Sequence, residues 1–171
     1  MANNIYLTGF MGSGKTTVGK QLSQCLDWPF VDMDAELVTI FNMPISEVFE
    51  KHGESAFRKM ETQFMETLSL KKQHVVATGG GVPVVLQNRA LMRCSGWIFY
   101  LNIDINDCKK RMTDKDIELR PLWKNEDNVR SLFKQRQAAY NDHHFQINVS
   151  GQSPETIVQT IIKQLKENGY V

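Results

Sequence analysis

The sequence predicts a three-layer α/β/α sandwich built on a five-stranded parallel sheet. Three observations carry this. Apolar runs of strand length alternate with longer stretches of helical period, and strands separated by helices pair in parallel. The run Trp97-Ile98-Phe99-Tyr100-Leu101 is continuously apolar, as in a strand buried on both faces. A glycine-rich segment follows the first apolar run and opens a helical stretch, and ligands of such folds bind at the carboxyl ends of the strands.

Ile5-Tyr6-Leu7-Thr8 reads as the first strand, ended by the turn Gly9 to Gly14. From Lys15 to Leu26, apolar Val18, Leu22 and Leu26 recur every four residues on one helix face. Phe30-Val31-Asp32, introduced by Pro29, is a short second strand. Between Glu54 and Leu70 the residues Phe57, Met60, Phe64 and Leu68 keep a helical stripe. His74 to Thr78 is the third strand, stopped by Gly79-Gly80-Gly81; Trp97 to Leu101 is the fourth and Phe145 to Val149 the fifth. Ser153 then offers an N-cap and Pro154 the first helical position of a last helix, with Ile157, Ile161 and Leu165 on one face.

At 171 residues the chain has one domain's worth of sequence, so residues 1–171 are expected to form a single domain. Its formal charge of +1 supplies no global field to hold nucleic acid or an anionic membrane. Any anionic ligand must be bound by local chemistry. No apolar run reaches transmembrane length, and MANNIYLTG lacks the order of segments of a secretory signal, so a cytoplasmic location is expected. Cys25, Cys94 and Cys108 are odd in number and far apart, which predicts reduced core cysteines. His143 and His144 lack a third ligand at metal spacing and are expected on the surface or in packing. A monomer is expected.

Gly9-Phe10-Met11-Gly12-Ser13-Gly14-Lys15-Thr16 matches G-x-x-x-x-G-K-[ST] at every fixed position, after a strand and opening a helix. Glycines let the backbone curl so that successive N–H groups face a phosphate, and the helix adds its N-terminal partial charge. Lys15 can reach the terminal phosphates, and the Thr16 hydroxyl can ligate Mg²⁺. This is a nucleoside-triphosphate site. A GTPase would need Asn-Lys-x-Asp, whereas Lys124-Asn125-Glu126-Asp127 has the wrong order.

Other segments cluster at predicted strand ends. Asp32 and Asp34 stand two apart, so one can support a metal's hydration shell while the other meets a substrate hydroxyl; either could instead cap the next helix. Arg58 and Glu61 are i, i+3, so Glu61 can hold the guanidinium fork for a carboxylate, or the two form a solvated surface pair. Gly79 to Gly81 permit a close approach of backbone to ligand, or form a bare turn. The basic stretch Lys109 to Trp123 could be a mobile lid carrying Arg120 onto the transferring phosphoryl group, or an ordinary surface loop. Arg136 and Tyr140 lie one helical turn apart.

In order along nearly the whole chain, these segments resemble the shikimate kinase family. It shares the P-loop, Asp-x-Asp, Gly-Glu-x-x-Phe-Arg-x-x-Glu, Gly-Gly-Gly, Arg-Pro-Leu and a late Arg-x-x-x-Tyr. The resemblance implies a P-loop kinase fold with a mobile lid at about 113–124, and ATP-dependent phosphorylation of the 3-hydroxyl of shikimate in aromatic amino-acid biosynthesis. It implies shikimate binding by Asp34, Arg58, Gly80 and Arg136, the two arginines taking the carboxylate and Asp34 the hydroxyl. Nucleotide contacts would come from Gly12, Ser13, Gly14, Lys15, Thr16 and Thr17, with Arg111 against the adenine and Arg120 on the phosphates. One Mg²⁺ per subunit would sit at Thr16, with Asp32 behind its hydration shell. Lys15, Asp34 and Arg120 would be the catalytic groups. Some members carry an arginine near the start of the last helix; here the residues are Gly151-Gln152-Ser153, and Gln152 could hydrogen-bond the base. A related kinase of gluconate or a nucleoside monophosphate, and a nucleotide-binding module without catalysis, are the competing readings.

Overall fold

The computed structural model describes residues 3–111 and 125–171, so the expected lid with Arg120 lies outside the described residues. In chain order the elements are β1 (Asn4–Thr8), α1 (Lys15–Leu26), β2 (Phe30–Asp32), α2 (Met33–Phe41), α3 (Ile45–Ser69) and β3 (Val75–Ala77). After a 3₁₀ turn (Val82–Val84) come α4 (Leu86–Ser95), β4 (Gly96–Asn102), α5 (Ile105–Arg111), α6 (Glu126–Tyr140), β5 (Phe145–Asn148) and α7 (Pro154–Glu167).

The strands form one sheet in the order β2-β3-β1-β4-β5, with every pairing parallel. Ile5 stands opposite both Val75 and Trp97, which puts β1 at the centre. Successive side chains of a strand face opposite sides of a sheet. Ile5 and Leu7 accordingly join a core cluster with Leu22 of α1 and Ile161 of α7, while Tyr6 joins one with Leu68 of α3 and Met92 of α4. Those two apolar layers make the sandwich. A smaller cluster of Leu37, Val48 and Phe57 holds α2 against α3.

Periodicity located the second half of α3 and missed the first. The helix changes course at Gly53, whose left-handed φ of 79° interrupts the stripe. The residues from Ile45 to His52 are too few to show a period by themselves. Helices α4 and α5 are likewise missed and α2 is anticipated only as the helix that Asp32 or Asp34 could cap, while Lys109 to Arg111, expected in the basic loop, form the last turn of α5. All three cysteines are free thiols, as expected, but only Cys108 is buried in the core; Cys25 and Cys94 are exposed. Both lie on helix faces turned away from the sheet. His144 accepts a hydrogen bond from the Ile98 amide at 3.0 Å and meets the Trp97 ring edge-on, a packing role.

Asp142, just beyond α6, accepts hydrogen bonds from Arg89 and Arg93 of α4. Burial works against its charge, but the two guanidinium groups prevail and lower its pKa. A depressed carboxylate pKa contributes stability above the unfolded value and loses it as pH falls towards the folded one. Asp142→Asn should therefore cost about 1 kcal/mol at neutral pH, a modest figure because the side chain is partly exposed. The gap from the parent in denaturant melts should be full above about pH 4, the ordinary range of the unfolded carboxyl, and narrow progressively as the pH falls below it. A gap that stays constant from neutral pH down through about pH 3 would contradict the ion-pair account.

Candidate active site

The turn between β1 and α1 is shaped by its glycines. Gly9 has φ 142°, and a Cβ there would come within 2.6 Å of the Leu101 carbonyl. The turn delivers the chain into α1 with Gly14 as N-cap, no side-chain cap and no acidic residue in the first turn. Helices α2, α6 and α7 instead have side-chain caps from Asp32, Asn125 and Ser153, with acidic first turns. No side chain thus neutralises the partial positive charge at the α1 N-terminus, a setting that suits an anion. Lys15 Nζ donates to the carbonyls of Gly9 and Phe10, both at 2.9 Å, which holds the ammonium inside the curl.

Asp32 ends β2 and serves two partners at once. One carboxylate oxygen accepts from the amides of Asp34 and Ala35, capping α2, and the other accepts from the Thr16 hydroxyl at 2.6 Å. Capping and metal support, weighed above as alternatives, are compatible on the two oxygens of one side chain. Hard oxygen donors beside a phosphate site suit Mg²⁺, which keeps most of its waters and uses few protein ligands. The described residues contain no group of three or more His, Cys, Asp or Glu that could hold a metal by themselves. Thr16 and Asp32 fit the sparse kind of site.

The other half of the site converges on the turn after β3. A Cβ on Gly79 would overlap the Asp34 carboxylate, and one on Gly81 would overlap the Arg58 guanidinium. At Gly80 it would approach Arg136 Nη1 at 3.3 Å and the Tyr140 hydroxyl at 3.5 Å. Three absent side chains therefore make room for three charged ones. That is why this turn is not a bare one.

Arg58 is held on two sides. Its Nη1 donates to Glu61 at 2.5 Å, and Nε and Nη2 donate to exposed Glu54 at 3.2 and 3.0 Å. Glu61 is only 1% exposed, which rules out a solvated surface pair. Burial pushes the Glu61 carboxyl above its ordinary range and the Asp34 carboxylate adds to this, while Arg58 and Arg136 pull it down. For Arg58, burial opposes the charge but Glu61 and Glu54 outweigh it and raise the pKa. The guanidinium stays charged, in a fixed orientation.

Arg111 and Gln152 are both tied to backbone carbonyls at the end of β5. The Arg111 guanidinium donates to the Val149 carbonyl, and the Gln152 amide donates to the Asn148 carbonyl at 2.8 Å. Both are thereby fixed to the turn that follows β5.

A single cleft of about 1540 Å³ is lined by Gly12, Ser13, Gly14, Lys15, Thr16 and Thr17, by Asp32 and Asp34, and by Arg58, Gly80, Arg111, Arg136 and Gln152. These are all the expected site residues except Arg120, which lies outside the described residues. The sequence reading missed the apolar wall that α2 and α3 add, where Val38 and Phe49 line the same cleft. It also missed Glu54, whose i, i+4 spacing to Arg58 was a usable signal.

A P-loop beside a polar cleft lined with acidic and basic groups, on this sheet order, defines a nucleoside-triphosphate-dependent phosphotransferase for small molecules. The family model for shikimate kinase matches residues 11–166. The chain belongs to the shikimate kinase family. A shikimate kinase of Caldicellulosiruptor bescii is 41% identical over 162 residues, covering 93% of each chain. One of Enterococcus faecalis is 38% identical over 167 residues, or 96% of this chain and 99% of that protein. Among solved structures, a shikimate kinase from Acinetobacter baumannii in complex with shikimate superposes with a TM-score of 0.91. It is 33% identical, over 98% of this chain and 95% of that one. A gluconokinase from Sinorhizobium meliloti, at 14% identity and TM-score 0.62, shares the fold alone.

Proposed function

We propose that this enzyme transfers the γ-phosphoryl group of ATP to the 3-hydroxyl of shikimate, giving shikimate 3-phosphate and ADP for aromatic amino-acid biosynthesis. The observation that carries the reading is the gathering of Asp34, Arg58 and Arg136 around Gly79 to Gly81, in the cleft that the P-loop opens into. Two arginines directed at one site match a carboxylate-bearing acceptor, and a carboxylate beside them matches its hydroxyl.

Chemically the protein's work is positioning and charge neutralisation. The P-loop amides and Lys15 hold the β- and γ-phosphates. Thr16 would ligate Mg²⁺ with Asp32 behind its waters, and the ion when bound supplies charge neutralisation at the phosphate oxygens. Arg58 and Arg136 orient the acceptor by its carboxylate. Asp34 accepts the proton of the attacking hydroxyl as the new P–O bond forms and the bond to the ADP oxygen breaks. Arg120 completes the charge around the transferred group, and Arg111 with Gln152 receives the adenine. One chain in the cytoplasm, with its ATP, suffices for this scheme, and neither nucleic acid nor membrane takes part.

An ADP-release assay across shikimate, gluconate and nucleoside monophosphates tests the assignment, which requires turnover with shikimate alone. A bidentate guanidinium–carboxylate contact is planar and directional, so lysine replaces it poorly. Arg58→Lys and Arg136→Lys should each lower kcat/KM for shikimate by roughly 10–150-fold while leaving the KM for ATP nearly unchanged. Shikimate methyl ester should show a comparable loss with the parent enzyme. Equal kcat/KM for acid and ester would remove the role given to both arginines.

A further inference from the structure

Tyr140, on the last turn of α6, is fully buried, yet its hydroxyl reaches the wall of the cleft. It donates to the Gly80 carbonyl at 2.7 Å. The Arg136 guanidinium, one helical turn earlier, flanks the same spot, since a Cβ on Gly80 would stand 3.3 Å from Arg136 Nη1 and 3.5 Å from the Tyr140 oxygen. The ring is fixed from behind. It stacks on Tyr100 at 5.4 Å between centroids, and the Tyr100 hydroxyl is itself held by Gln137 at 3.1 Å and Asn102 at 3.0 Å. Burial pushes the Tyr140 phenol up to about 12, against the pull of Arg136, so it stays a neutral donor at all working pH values.

We propose that Tyr140 is a positioning residue of the acceptor site: its hydroxyl couples the Gly80 carbonyl to the Arg136 guanidinium and sets the distance between them. The turn after β3 and helix α6 are remote in sequence and belong to different layers. An arginine on a long side chain has many rotamers, and ordering it is costly unless its surroundings decide among them. A neutral phenol can donate to the carbonyl with its hydrogen and present its lone pairs to the guanidinium. Supporting groups of this kind keep a binding constellation within the narrow tolerance that acceptor alignment demands. Tyr140 reaches the acceptor only through Arg136 and Gly80, and the proposal rests on the assignment of Arg136 to the acceptor carboxylate.

Tyr140→Phe removes one oxygen and keeps the ring. It should raise the KM for shikimate by about three- to tenfold, the worth of one neutral hydrogen bond. The KM for ATP should not move, and shikimate titrated calorimetrically against the variant should show the same loss of affinity. In the Arg136→Lys background the Tyr140→Phe effect should shrink to near unity, because a residue acting through Arg136 has nothing left to position. Gly80→Ala reaches the same point from the opposite side and should give the same selective rise, which keeps the test open if Tyr140→Phe fails to fold. Equal rises in both KM values, or a full Tyr140→Phe effect in the Arg136→Lys background, would overturn the proposal. So would an unchanged shikimate KM in Tyr140→Phe while Arg136→Lys raises it, and the acceptor assignment would then survive. An unchanged shikimate KM in Arg136→Lys overturns both.

Discussion

Lys15→Ala is expected to abolish detectable phosphoryl transfer, a loss of at least about 10³ in kcat, the upper end of what a single preorganised donor contributes. The lysine's charge sits in the curl of the P-loop, bonded to the Gly9 and Phe10 carbonyls at 2.9 Å, where the terminal phosphates have to be neutralised. Its removal leaves two loop carbonyls that water can satisfy, so the fold should survive with a near-parental melting temperature. Single-turnover ADP release and a thermal melt check both halves. Undiminished turnover would sink the role given to this loop.

Asp34→Asn is expected to lower kcat by about 10²–10⁴, the range of general acid–base assistance. Asparagine retains the size that fits against Gly79 but cannot take up the proton of the attacking hydroxyl. Asp34 also faces Glu61 across the cleft, so the substitution relieves some like-charge repulsion there. Steady-state kinetics separate the possibilities. A change confined to the shikimate KM would make Asp34 a binding group and leave proton transfer to water.

The sheet was legible because its central strands β1, β3 and β4 are buried on both faces or nearly so, and because glycine or proline punctuates the runs, as at Pro29 and Gly79. The helices were legible only where a stripe runs long enough to show a period. Residues Ile45 to His52 fail that test because Gly53 resets the helix direction, so the wall carrying Phe49 went unread. Fixed spacings carried the phosphate half of the cleft. The acceptor half depends on contacts across long separations, such as Tyr140 to Gly80, and no local spacing encodes them. Asp32 shows a further limit: a capping signal and a metal-support signal look like rivals in one dimension and become partners once two oxygens point in different directions.

The emptiness of the turn Gly79 to Gly81 decides how this protein could be re-engineered. Each missing methyl is already occupied by the carboxylate of Asp34, the neighbourhood of Arg136, or the guanidinium of Arg58. Libraries randomised at Gly79 or Gly81 would return mostly inactive clones, since even alanine there collides with a charged group of α2 or α3, whereas alanine at Gly80 only crowds Arg136 of α6. The α2–α3 wall is the opposite case. Val38 and Phe49 are partly exposed and line the cleft without gripping a charged partner, so variation there can reshape the cavity and leave the charges in register. Attempts to accept a bulkier hydroxy acid should therefore spend their mutations on positions 38 and 49 and keep the three glycines as they are.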